Sequence, residues 1–102
     1  MPNVFQIGAA LIERAALDDE ALTVHLSDGR ILSVPLAWYP RLLHGTPEER
    51  ADWRLISQGE GLHWPDLDED ISVHGLILGH PSGESQRSLQ GWLAQRGTAG
   101  RG

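Results

Sequence analysis

Apolar and polar residues alternate most regularly between positions 20 and 36. Leu22, Val24 and Leu26 alternate with Thr23, His25 and Ser27, the period of two expected of a strand with one buried face. Asp28-Gly29 then marks a turn, and Leu32, Val34 and Leu36 share one face of a second strand. Side-chain parity fixes the loop. A two-residue Asp-Gly loop would set Val24 opposite Ser33 and send the two apolar faces to opposite sides. The loop Ser27-Asp28-Gly29 instead sets Val24 opposite Leu32 and Leu22 opposite Val34, with Gly29 in the left-handed conformation that glycine adopts without penalty. Pro35 lacks an N–H, which puts this strand end at an edge or at the end of pairing. Upstream, Val4, Ile7 and Leu11 have helical spacing, but Gly8 interrupts them. Ile12 followed by Glu13 and Arg14 favours a strand over residues 7–16, paired with the hairpin.

Further on the period changes. Thr46, Pro47 and Glu49 spell a helix start: cap, first helical position and capping-box acid. The pattern predicts a helix from there to Gly59, with Ala51, Leu55 and Ile56 inward and Trp53 on a flank. A shorter helical turn precedes it, from Pro40 through Leu43 to a stop at Gly45. Leu62, Trp64 and Leu67 read as an extended edge or loop packed on the sheet, and Asp70 as the cap of a helix over residues 71–78. A last helix is expected over residues 85–95, with Leu89, Trp92 and Leu93 on one side. The ending GTAGRG has too little surface to bury and reads as an unstructured tail. The expected fold is α+β: a small, mainly antiparallel sheet of three or four strands with helices on one face. Residues 1–81 form the domain, 82–96 a C-terminal helix packed on it, and 97–102 the tail.

Composition narrows the class. With 102 residues, 40% of them apolar, the chain supports one core. There are no cysteines, so disulfide scaffolds and cysteine-ligated metal centres are excluded. No apolar run approaches the roughly 20 residues of a membrane span, and no basic segment introduces a signal peptide. The expectation is a cytoplasmic protein that uses no membrane and no cofactor. The net charge of −6 is uneven: residues 1–81 carry −8 and residues 82–102 carry +2, all eight bases being arginine.

Several pieces then occur together: Asp28-Gly29, Pro40-Arg41-Leu42, Thr46 with Glu48-Glu49-Arg50, Gly61-x-His63-Trp64-Pro65, and Leu67-Asp68-Glu69-Asp70. Over residues 20–80 the chain resembles the bacterial domain-of-unknown-function 2442 family. The resemblance implies a small α+β domain found in mobile or toxin–antitoxin-like gene settings. Some longer relatives carry an added helix-turn-helix domain, and this chain, ending at 102, is not expected to bind DNA by itself. No catalytic residue carries over.

The candidate chemistries differ in weight. Asp66, Asp68 and Asp70 have the 1, 3, 5 spacing of a calcium loop, but Ile71 and Ile77 stand where glycine and a bidentate glutamate are required. His63, Asp66, Asp68 and His74 remain as a divalent-metal alternative, and with it a metal-dependent enzyme; no metal ligand is assigned. Gly79-His80-Pro81-Ser82-Gly83 is not a nucleophile elbow, because the serine sits one position late. It reads as a turn. Residues 71–96 are loosely helix-turn-helix in layout, so a DNA-binding regulator, acting as a dimer, is the second reading. Arg87 and Arg96 project from opposite sides of their helix and form no basic stripe. His25 is expected on the solvent side of its strand and His63 beside Trp64. Four tryptophans in an acidic domain suggest an exposed aromatic patch rimmed by charge. The first reading is therefore a non-enzymatic protein-interaction module, antitoxin-like or regulatory. It would contact a basic partner protein through Trp38, Tyr39, Trp64, Asp66, Asp68 and Glu69.

Overall fold

The computed structural model of the protein describes residues 10–99. Three strands, β1 (Ile12–Leu17), β2 (Ala21–Leu26) and β3 (Ile31–Pro35), form an antiparallel sheet in that order. Leu22 pairs with Val34 and Val24 with Leu32, the register that the three-residue loop requires. Gly29 has a φ of 93°. Pro35 ends β3 on the sheet edge, where no ladder bond is asked of it.

β1 supplies the expected third strand, beginning at Ile12; residues 7–9 of the predicted segment lie outside the described residues. Its register slips between Ile12 and Arg14, leaving Glu13 as the extra residue of a bulge. The bulge resets parity. Ile12, Ala15 and Leu17 therefore all oppose inward residues of β2, namely Leu26, Val24 and Leu22. A regular strand could not turn all three to the inner face, which is why this segment shows no clean period of two.

The helix expected from Thr46 to Gly59 starts as read but stops early. Thr46 Oγ1 accepts from the Glu49 N–H (3.1 Å) and Glu49 Oε1 accepts from the Thr46 N–H (2.9 Å). With α1 (Pro40–Leu43) already formed, α2 spans only Pro47–Ala51. Residues 54–56 form a strand instead, β4 (Arg54–Ile56), paired with β5 (Gly61–Trp64). Leu55, expected inward on a helix, is 41% exposed at the sheet edge. Spacing of four and five residues fits both a helix face and a short hairpin, and cross-strand pairing with Leu62 decides it. A third strand, β6 (Glu69–Ser72), completes a second antiparallel sheet with β5 at its centre. So the fold is α+β, with two three-stranded sheets where one was expected. Asp70 lies within β6. The cap of α3 (Val73–Leu78) is Ser72, whose Oγ accepts from the Gly75 N–H at 2.9 Å.

The sheets meet at the β4–β5 turn. The Ile12 N–H donates to Gly59 O and the Val73 N–H to Glu60 O, both at 2.8 Å. Gly59 has a φ of 123°, and a Cβ there would lie 2.4 Å from Ile12 O. Only glycine allows this approach. Leu22, Leu26, Leu36, Leu42, Leu62, Trp64 and Leu67 then fill one core shared by both sheets and α1. The C-terminal helix α4 (Gln86–Ala99) lies outside that core cluster apart from the half-buried Trp92. It continues to Ala99, past the predicted end at Gln95 and into the expected tail; residues 100–102 lie outside the described residues.

Arg50 is the one buried charged side chain among the described residues. Its guanidinium donates to Leu42 O (2.8 Å), Leu43 O (2.9 Å) and Asp19 Oδ1 (3.0 Å). Its own carbonyl accepts from Trp64 Nε1 at 2.9 Å. Lysine has no planar fork with which to serve three acceptors in different directions. Arg50→Lys is expected to lower unfolding stability by about 2 kcal/mol, read as a shift in urea midpoint at unchanged slope. A wild-type midpoint would show that the fork is dispensable.

Candidate protein-interaction site

The acids are densest at the turn joining β5 to β6. Leu67, fully buried, anchors it, its methyls 2.9 and 3.1 Å from where a Cβ on Gly45 would stand. Asp66 and Asp68 point outward, and Asp68 has a φ of 49°. Arg41 reaches across from α1. It donates to Leu67 O (3.3 Å) and Asp68 O (3.4 Å), and lies 3.6 Å from Asp68 Oδ2. Its Nε and Nη2 grip Glu84 at 2.9 and 2.7 Å in a bidentate pair.

The carboxylates around this arginine are unequal. Glu84 is held below the usual carboxylate range by Arg41, with help from the Ser88 hydroxyl. Glu69 is pushed up. Burial is the main cause, and the charges of Glu84 and Asp70 add to it, while the Asp70 N–H and Arg41 offset only part. Burial also raises the Tyr39 phenol, with the Glu69 charge contributing. Arg41 acts on Glu69 only through space, its side-chain pair being with Glu84.

The structure groups Tyr39, Asp68 and Glu69 near Arg41 but does not make a patch of all six predicted contact residues. Trp64 has 0% exposure and Tyr39 4%, its hydroxyl donating to His80 O at 3.2 Å. Both lie in the core. Trp38, Trp53 and Trp92 are half-buried against the core, so the expected exposed tryptophan patch is absent among the described residues. A chain this short needs its large side chains inside. Asp66 and Asp68 are exposed and Glu69 is half-buried. Arg41 was missed, although it stands in the Pro40-Arg41-Leu42 string; a lone arginine in a short helix gives no sign of the three carboxylates that converge on it.

The residues behind the other candidate chemistries have the following surroundings. His63 turns away from Trp64, to the opposite face of β5, and its Nδ1 donates to Asp70 Oδ1 at 2.5 Å. His25 meets Arg14 on the outer face of the first sheet (3.3 Å). Among the described residues no group of three or more His, Asp and Glu side chains is placed to hold a metal ion, the set His63, Asp66, Asp68 and His74 included. Ser82 Oγ accepts from the Glu84 N–H at 3.1 Å, a turn bond. A groove of about 310 Å³ opens between the end of β1 and α2, but its polar groups are engaged: Asp18 accepts from two turn N–H groups and Asp19 from Arg50. A helix-turn-helix joins its helices by a turn of three or four residues. Here seven residues separate α3 from α4, and Arg96 faces the body, bound to Glu49 at 2.8 and 3.0 Å. No helix among the described residues is long and apolar enough to cross a membrane.

Residues 13–82, from β1 to the segment after α3, match the family described as a protein of unknown function, DUF2442. The chain belongs to this family. The DUF2442 match takes in Arg41, Arg50 and the acidic turn, and stops before α4. The chain is similar to a protein of unknown function from Rhodospirillum rubrum, known from a crystal structure: 25% identity, TM-score 0.65, over 76% of this chain and 95% of that one. It also shares its fold with an uncharacterised protein from Chromobacterium violaceum, known from a solution NMR structure: 20% identity, TM-score 0.64, over 90% of this chain and 81% of that one. No curated protein matches.

Two pH effects follow from these carboxylates. A carboxyl whose folded pKa is raised destabilises the fold once ionised, above its unfolded pKa, and costs nothing when protonated in both states. Glu69→Gln is therefore expected to stabilise the protein at pH 7, with the gain vanishing on acidification below pH ~4. Urea midpoints of both proteins across this range check it, and a pH-independent difference contradicts it. Glu49 is the opposite case, held at about 2 chiefly by Arg96, with the Thr46 N–H helping. Its bridge contributes fully above the usual 4.5 and is lost as pH falls toward 2. On the order of 2 kcal/mol should disappear over that window. The Trp92 near-ultraviolet signal should report it, and Glu49→Gln should flatten the profile.

Proposed function

We propose that this domain is a non-enzymatic protein-interaction module that holds a basic segment of a partner protein at the acidic turn between β5 and β6. The observation that carries the reading is geometric: one turn presents the exposed Asp66 and Asp68 with the half-buried Glu69 beside them, while the nearest cation, Arg41, is committed to Glu84. An arginine or lysine from a partner supplies the counter-charge. Asp66 and Asp68 stand outward beside Glu69 and extend the negative field toward solvent. Arg41 fixes the turn from behind through Leu67 O and Asp68 O, so the acids are presented on a held backbone. Trp64 and Leu67 belong to the support of this surface and not to the contact itself.

An antitoxin-like or regulatory role is one such module's use, with the basic partner encoded beside it. The test is co-expression of the chain with its neighbouring gene, followed by co-purification. The wild-type chain is expected to retain the neighbour. A triple variant with Asp66→Asn, Asp68→Asn and Glu69→Gln should lose it, and the wild-type complex should weaken as salt is raised. Recovery of the chain alone, or equal retention by the triple variant, sinks the reading.

A further inference from the structure

The C-terminal helix is attached as a ligand is attached. Among the described residues its buried side chain is Leu89, and Trp92 is half-buried. Two guanidinium groups stack on the Trp92 ring, Arg41 from α1 at 4.9 Å and Arg96 from its own helix at 4.7 Å from the ring centroid. Arg96 closes a bidentate pair with Glu49 of α2. These are side-chain contacts of the kind that dominate recognition between separate proteins, a stacked tryptophan and a forked arginine. The core cluster, by contrast, runs from Ala10 to Leu76 and, among the described residues, has no buried member in α4. The family match also ends at residue 82. Residues 80–84 are pinned to the body by Ser82 N–H to Trp38 O, by Tyr39 Oη to His80 O, and by Arg41 to Glu84. The first turn of α4 is tied to this pinned segment by the Ser88 hydroxyl, which donates to Glu84 Oε2 at 2.8 Å. Gly91 and Gly97 lie within α4, which weakens it as an independent helix. Charge complements charge, +2 for residues 82–102 against −8 for the rest.

We propose that the face formed by α1 and α2 is a helix-recognition site, that α4 is its resident occupant, and that it accepts in trans a partner helix presenting Leu-x-x-Trp-x-x-x-Arg. The spacing is that of Leu89, Trp92 and Arg96, which bring leucine, tryptophan and arginine to one side of a helix. The site does not require the acidic turn to bind anything.

The test uses the full chain and a fluorescein-labelled peptide of residues 85–97. Arg96→Glu in the chain frees its α4, and the peptide is expected to bind. The wild-type chain should bind at least about tenfold more weakly, because its own helix occupies the face at high effective concentration. Trp92→Ala provides a second opened chain. Peptides carrying Trp92→Ala or Arg96→Glu should lose about tenfold or more in affinity, and so should the wild-type peptide on an opened chain that also carries Glu49→Gln. Replacing Asp66, Asp68 and Glu69 by their amides should leave peptide binding intact, which separates this site from the acidic turn. Absence of binding to both opened chains overturns the proposal. So does equal affinity for wild type, or indifference to the peptide's tryptophan and arginine. Dimerisation of the wild-type chain that Arg96→Glu abolishes would make a second copy's α4 the occupant and overturn the partner-helix reading.

Discussion

Arg50 is the constraint on which the rest of the structure depends. It projects from a helix of five residues, too short to be stable alone. Its guanidinium satisfies two carbonyls at the end of α1, and its third donor holds Asp19 in the turn between β1 and β2. Its carbonyl receives the indole N–H of Trp64, the largest side chain in the core. One residue thus joins α1, α2, the first sheet and the central strand of the second. A buried charge is costly unless every donor is met, and here its neighbours supply the acceptors. The same demand forces α1 and α2 into fixed relation, and that relation positions Arg41 and Glu49.

Those two residues organise the surface. Arg41 gathers Glu84, Asp68 and the carbonyls of the acidic turn, and Glu49 receives Arg96. The two ionic centres differ in what they leave unmet. At Glu49 the pairing is complete and the carboxyl is strongly acidic. Around Arg41 several carboxylates compete for one cation, and the half-buried Glu69 is left with a raised pKa. The first centre holds a helix to the body. The second gathers acids at an exposed turn.

Much of this was legible where a local rule acts alone. The β2–β3 register followed from parity, because a slip of one residue would have exposed an apolar face. The start of α2 followed from its capping box, whose partners are three residues apart. Legibility failed where the deciding partner is distant in sequence. Leu55 and Ile56 fit a helix stripe and a strand equally, and only pairing with Leu62 and Gly61 chose the strand. Asp70 has the chemistry of a cap, yet pairing with His63 drew it into β6 and left Ser72 the capping role. The acids of the candidate site could be located, but not their unequal states. Those depend on Arg41, 27 residues away from Asp68, and on how deeply Glu69 is buried.

By itself the sequence determined the α+β class, the β2–β3 hairpin with its glycine turn, the start of α2 at its capping box, and the concentration of acid between Glu60 and Asp70. Each of these rests on neighbours along the chain, where periodicity, turn chemistry and capping act within a few residues. Tertiary structure alone decided the split into two sheets, the bulge at Glu13, the burial of Tyr39 and Trp64, and the roles of Arg41 and Arg50 as hubs. The reason is that burial and ion pairing are properties of what surrounds a side chain. For these residues the surroundings are brought together from segments far apart in the chain.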